Sequence, residues 1–257
     1  MSSSPPTAKR KLQPGESNGA AEDISGWSGC AACPLRERGF CAVLLQEREG
    51  VLDLQRREHM VRARQHLYRA KDKARHIAII REGIAFRYVV VPDGRRQILS
   101  FALPGDFLST SFLARDTANF SVQALTPVRM CVFDKADLQR FIREEPNAIG
   151  AFFEMCVLEK ERYEAQIVDL GRRNSDERIA RFLIQFATHF GWTGEDGFSF
   201  AFPVRQQHMA DLLGLTQVHV SRVVSKFRRA GLIELSGGLL QIVDANGLRT
   251  AAGVRNN

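Results

Sequence analysis

The sequence predicts an α+β chain in three parts: an N-terminal antiparallel β domain, one long helix, and a C-terminal winged helix-turn-helix. Three observations carry that prediction. Between Gln65 and Phe133, short apolar or alternating runs are broken by turn residues every roughly eight to twelve positions, the rhythm of an antiparallel barrel or sandwich. From Ile149 to Leu170 the apolar side chains step by fours and threes, as in a coiled coil. From Phe202 to Val243 a short amphipathic helix, a glycine turn, a second helix and a hairpin follow one another. The expected boundaries are a tail over 1–22, a cysteine segment and β domain over 23–145, a dimerisation helix over 146–171 and the winged unit over 172–257.

At 257 residues and 44% hydrophobic, the chain can bury two cores beside a tail. Its net charge of +7 favours an anionic partner, and charge alone does not separate nucleic acid from a membrane surface. No apolar run approaches the length of a membrane span, so no membrane partner is expected. The N-terminal stretch has no apolar core after Lys9-Arg10-Lys11, so no secretory signal is expected there. A cytoplasmic chain with reduced cysteines is the expectation. The tail itself is serine, proline, glycine and charge, a composition that predicts disorder.

The cysteine segment places Cys30, Cys33 and Cys41 close together, with two residues and then seven between them. Two thiolates three positions apart can hold one metal centre from a single turn, and the third returns after a short loop. Three ligands leave one coordination position to be filled from elsewhere. A set of four thiolates suits zinc and an iron–sulfur cluster equally, so spacing alone leaves the metal open. The other two cysteines are Cys131 and Cys156.

Gln46 to Arg62 reads as a charged, helix-like segment. Strands are expected at Ile77–Ile80, Ile84–Val91, Gln97–Phe101, Phe120–Leu125 and Val128–Phe133, punctuated by Glu82-Gly83, Pro92-Asp93-Gly94 and Pro104-Gly105-Asp106. A helical pattern begins at Lys135. After Pro146 comes the long seam: Ile149, Phe153, Cys156, Lys160, Tyr163, Ile167 and Leu170, with Lys160 as the polar misfit. Such a seam suits a parallel homodimer, and packing against the chain's own β domain is the competing reading. Cys156 reads as a small apolar member of the seam. Asn174 to Phe190 is a further amphipathic helix with Ser175 as its candidate cap, and Phe198, Phe200, Phe202 and Val204 alternate as a strand.

In the winged unit, Val220, Val223, Val224 and Phe227 repeat at helical spacing and should pack inward. That leaves Gln217, Val218, His219, Ser221, Arg222 and Ser225 on the face a recognition helix turns to base edges. Arg205 and Lys226 join them as phosphate contacts, and Thr216 is a candidate N-cap. Between Pro203 and Gly231 five Lys or Arg residues accompany one acid, Asp211, as a phosphate backbone requires. Double-stranded DNA is the expected partner. The six histidines are scattered and no nucleophile–base arrangement is visible, so an enzyme is not expected.

The order cysteine cluster, β domain, long helix, winged helix-turn-helix resembles the Crp/Fnr family of bacterial transcription regulators, and within it the Fnr-type oxygen sensors of alphaproteobacteria. The resemblance runs from Cys30 to about Leu248. It is carried by Leu67-Tyr68-Arg69-Ala70-Lys71-Asp72, Gly83, Leu103-Pro104-Gly105-Asp106-Phe107, Asn174-Ser175-Asp176-Glu177-Arg178 and Gly214-Leu215-Thr216 leading to Ser221-Arg222. It implies a β-roll sensor domain of the cyclic-nucleotide-binding type, and a [4Fe–4S] cluster held by Cys30, Cys33, Cys41 and Cys131. It also implies homodimeric binding of a palindromic, Fnr-box-like site and activation through RNA polymerase.

Two stretches depart from the family pattern. Ala118 to Gln123 lacks the arginine that would meet a cyclic nucleotide's phosphate, so no cyclic nucleotide is expected. Val218 stands where family members often present a glutamate to cytosine, so the half-site differs at one base pair. The rival reading keeps the family but changes the signal: nitric oxide through haem, or a small ligand in the roll, with the cysteines holding zinc or nothing.

Overall fold

The computed structural model describes residues 22–23, 30, 33–37, 39–46, 56–108 and 110–254. The expected disordered tail therefore lies almost wholly outside the described residues.

Two four-stranded antiparallel sheets form the N-terminal roll. One runs in the order β1 (Glu22–Asp23), β2 (Arg56–Val61), β8 (Val128–Asp134), β4 (His76–Glu82); the other runs β3 (His66–Tyr68), β7 (Ser121–Ala124), β5 (Ala85–Val90), β6 (Arg96–Ala102). The five expected strands are present. Their alternation has the cause the sequence suggested: Ile77, Ile79, Val122, Ala124 and Val128 are buried between the sheets with Leu108, Phe112 and Phe120. At the β4–β5 turn Gly83 has φ 84°, and a Cβ there would stand 2.0 Å from the Pro127 carbonyl oxygen, so only glycine fits.

The segment expected to be helix-like is corrected where it is described: Arg56–Val61 is a strand, paired with β8 from Arg56↔Phe133 to Val61↔Val128. Charge misled the reading. Glu58 is buried but its carboxylate accepts from Arg81 Nη1 at 3.2 Å, and an open edge of β8 rewards pairing more than local propensity opposes it. Cys41 likewise lies on a helix, α1 (Gly39–Gln46), rather than after a loop. Phe40 and Leu44 anchor that helix in the roll core, Phe40 edge-on to Phe107 at 5.2 Å, and α1 packs on the long helix.

Helix α2 (Lys135–Glu144) is capped by Asp134, and Pro146 opens the long helix α3 (Pro146–Arg172). Helix α4 (Ser175–His189) follows. Its cap is Asn174, one residue before the expected Ser175: Asn174 accepts from the Asp176 and Glu177 amides, and Glu177 accepts back from the Asn174 amide. The winged unit is α5 (Gln206–Leu213), α6 (Gln217–Arg229) and the sheet β10 (Ile233–Ser236), β11 (Leu239–Ile242), β9 (Ser199–Ala201). Gly237 and Gly238, both at positive φ, form the two-residue hairpin loop between Ser236 and Leu239. A last helix, α7 (Ala245–Ala251), was not expected; Asp244 caps it, and Ala245 and Leu248 bury it against the same core. That core is shared across the chain, since Ile84, Phe86, Ile98 and Leu103 of the roll join Phe182, Phe186, Leu212 and Phe227. Among the described residues no helix is long and apolar enough to cross a membrane.

Candidate DNA-binding surface and cysteine site

Gly214 ends α5 in the left-handed conformation at φ 63°, which lets the chain turn sharply into α6. Thr216 Oγ1 accepts from the His219 amide at 3.2 Å and starts that helix. Val220, Val223, Val224 and Phe227 are buried. Gln217, Val218, His219, Arg222 and Ser225 are exposed together on the first turns, with Ser221 half-buried beside them. Val218 is 67% exposed, an apolar side chain offered to solvent on a face otherwise polar.

Arg205, exposed, precedes α5, and its amide donates to His208 Nδ1 at 3.2 Å. Burial and the Arg96 guanidinium hold His208 below its ordinary value, in the neutral form that can accept this bond. Lys226 lies one turn beyond Arg222 and forms an ion pair with Asp176 at 2.5 Å. Asp211 is turned away from the whole surface, toward the roll.

The long helix divides its expected seam. Phe153 and Ile167 are 65% and 67% exposed, and Ile149 is exposed as well, with Val157 and Val168 beside them. Lys160 and Glu164 form an i,i+4 pair at 2.6 Å within that face. Cys156, Tyr163 and Leu170 turn instead toward the chain's own body. Tyr163 Oη accepts from Arg87 Nη1 at 3.1 Å, and Leu170 lies against the Gly214 turn. Cys156 is half-buried at Thr110 and Glu159 rather than in an apolar seam, and burial raises its thiol. Buried Arg87 donates to Glu159, which also accepts from Thr110 Oγ1 at 2.5 Å; this network fastens the long helix to the roll.

None of the five cysteines is in a disulfide; Cys33 is buried, and the other four are half-buried. The Cys33 amide donates to the Cys30 carbonyl at 3.1 Å, and Cys33 is buried. Cys41 and Cys131 both pack against the roll core. Cys131 lies between Glu58 and Ile79 in neighbouring strands. Its thiol is pushed up to about 11, first by burial and then by the nearby Cys30 and Cys33, with Arg81 acting in the opposite sense. Cys131 thus feels both Cys30 and Cys33, and Cys41 comes from a helix on the same core. Among the described residues, no three His, Cys, Asp or Glu side chains already stand together as a metal site. Chemically the donor set fits a thiolate-ligated centre: four reduced sulfurs, with the adjacent carboxylate of Glu58 engaged by Arg81.

A winged helix-turn-helix joined to a β-roll through one long helix is the architecture of a DNA-binding transcription regulator. Residues 58–145 match the family model for the cyclic nucleotide-binding domain, and residues 177–251 match that for the Crp-like helix-turn-helix domain. The nitrogen fixation regulation protein FixK of Bradyrhizobium diazoefficiens is 33% identical over 84% of this chain and 90% of its own length. The transcriptional activator protein FnrL of Cereibacter sphaeroides is 31% identical over 81% of this chain and 85% of its own. In fold, the structure of FixK2 from Bradyrhizobium japonicum superposes with a TM-score of 0.70 at 24% identity, covering 77% of this chain and 98% of that one. The chain belongs to the Crp/Fnr family of transcription regulators.

Proposed function

We propose that this regulator reports oxygen: Cys30, Cys33, Cys41 and Cys131 hold a [4Fe–4S] cluster, and under low oxygen the chain is a homodimer bound to a palindromic, Fnr-box-like site. The observation that supports the proposal is that Cys41 and Cys131 pack against the same roll core, with the Cys131 thiol within electrostatic reach of Cys30 and Cys33. The likeness to FnrL supports it. Such a cluster supplies an oxygen-labile tether between four thiolates.

The protein's own part is to turn that tether into DNA affinity. Cys131 sits on β8, and Cys41 on α1, which packs on the long helix. A group held by both sulfurs would tie α1, which packs on α3, to β8; the Arg87–Glu159 contact fastens α3 to the roll with Phe153, Val157 and Ile167 exposed for a second copy. A dimer carries two recognition helices about one DNA turn apart, and linked half-site contacts bind far more tightly than one. Arg222 reads guanine through a bidentate bond, Ser221 a neighbouring base, with Gln217, His219 and Ser225 alongside, and Arg205 and Lys226 meet phosphates. Val218 offers methyl groups where an acid would take cytosine N4, which favours thymine there. We expect no cyclic nucleotide as effector, because 118–123 holds no arginine to meet a phosphate and Ser121 Oγ already accepts from the Ala70 amide at 3.0 Å.

The test is the absorbance spectrum, iron and acid-labile sulfide of protein prepared without air, for wild type and for Cys131→Ser. A brown wild type and a colourless variant support the proposal; equal iron in both removes Cys131 as a ligand.

A further inference from the structure

Asp211 is the only acid between Pro203 and Gly231, in a stretch that otherwise gathers positive charge for DNA. The structure gives it a use. Arg96, on roll strand β6, donates Nε to Asp211 Oδ2 at 2.7 Å and approaches the same oxygen with Nη2 at 2.6 Å. Gln207 Nε2 donates to the other carboxylate oxygen at 2.6 Å. The Arg96 guanidinium lies 5.0 Å over the Phe86 ring, which also meets His208 of the same helix as Asp211. One residue on, Gln97 Nε2 donates to the Leu212 carbonyl at 3.2 Å.

That carbonyl belongs to the last turn of α5, where a helix leaves acceptors without intrahelical partners. Gln166 of the long helix also donates to it at 3.4 Å, and Arg178 of α4 donates to the Leu213 carbonyl at 3.0 Å. The end of α5 is therefore held from the roll, the long helix and α4 at once. Gly214 then turns the chain directly into α6, so the seating of α5 sets the direction of the recognition helix.

We infer that Arg96 and Gln97, which lie in the sensor roll and touch no DNA-reading residue, are positioning residues for DNA recognition: they set the spacing at which a dimer reads two half-sites. Spacing requires two readers, so the inference rests on the dimeric reading above. Phe86 and Ile98 are buried in a cluster with many other apolar residues, so the fold has a support separate from the Arg96–Asp211 pair.

The experiment uses full-length protein prepared without air, and fluorescence anisotropy on palindromes of stepped half-site spacing and on a single half-site. Arg96→Ala should lose about tenfold in affinity at the wild-type optimal spacing, flatten the spacing profile, and keep the wild-type affinity for one half-site. Gln97→Glu, which sets a carboxylate against the Leu212 carbonyl and leaves the ion pair, should move in the same direction by a smaller factor. The exchange of Arg96→Asp with Asp211→Arg should restore the profile. A retained wild-type profile in both single variants, an equal loss on half-site and palindrome, or tighter binding by Arg96→Ala each overturns the inference. A wild type without any spacing optimum overturns the dimeric reading and this inference with it.

Discussion

At the scale of single residues, the recognition helix makes the sharpest prediction. If Val218 faces a thymine methyl, Val218→Glu should shift preference at that base pair toward cytosine on the contacted strand, by about 1–3 kcal/mol in a binding series over all four bases. Arg222→Ala should cost a similar amount at its guanine and relax specificity there alone; a uniform loss over every sequence would make Arg222 a phosphate contact instead. Gly83→Ala should destabilise the roll by about 3 kcal/mol in denaturant unfolding, because the added Cβ meets the Pro127 backbone at 2.0 Å in a left-handed turn. Much of this was legible in the sequence: Thr216 as cap and the inward stripe from Val220 to Phe227 follow from helical spacing and cap chemistry. Asp211 was visible only as an oddity. Its partner Arg96 lies 115 residues away, and no local pattern joins them.

At the scale of elements, the long helix shows where pattern reading reaches its limit. The apolar steps of α3 describe two neighbouring stripes, one facing outward and one facing the roll, and a heptad count drifts between them because a straight helix does not repeat in seven. Cys156 and Tyr163 fell on the inward stripe, and Val157 and Val168 were passed over on the outward one. Phe153→Glu should therefore leave the fold intact and yield a monomer in sedimentation, whereas Cys156→Ala should leave self-association unchanged. Lys160→Leu should strengthen the dimer, since the charged pair Lys160–Glu164 interrupts the exposed apolar face.

The roll-to-helix fastening has its own signature in acid. Burial works to raise the Glu159 carboxyl, but the Arg87 guanidinium and the bonds from Thr110 and Tyr163 bring it below its ordinary value of 4.5. A depressed folded value means the stabilisation is complete above 4.5 and is lost as pH falls below it toward the folded value. The melting temperature of wild type should fall more steeply than that of Glu159→Gln across that window; parallel curves would show that the carboxylate contributes nothing.

At the scale of the whole molecule, the α+β order of roll, long helix and winged unit was legible because each part has its own periodicity: two in the strands, near three and a half in the helices, and glycine at the turns. Elements that exist only through distant partners were not. Strand β2 is charged and needs the β8 edge, and α7 is short and needs the reader's core. The cysteine site was half legible. Spacing suggested a thiolate set, but Cys131 lies 90 residues beyond Cys41 and entered through family likeness; in the roll its thiol feels the charges of Cys30 and Cys33.

The central claim joins the cysteines to self-association, and one measurement addresses both ends. Protein prepared without air is sedimented while its visible absorbance is recorded, then sedimented again after exposure to air. The expected result is a brown dimer with about four iron and four sulfide per chain that becomes a colourless monomer. A colourless protein whose mass is the same before and after air would contradict it.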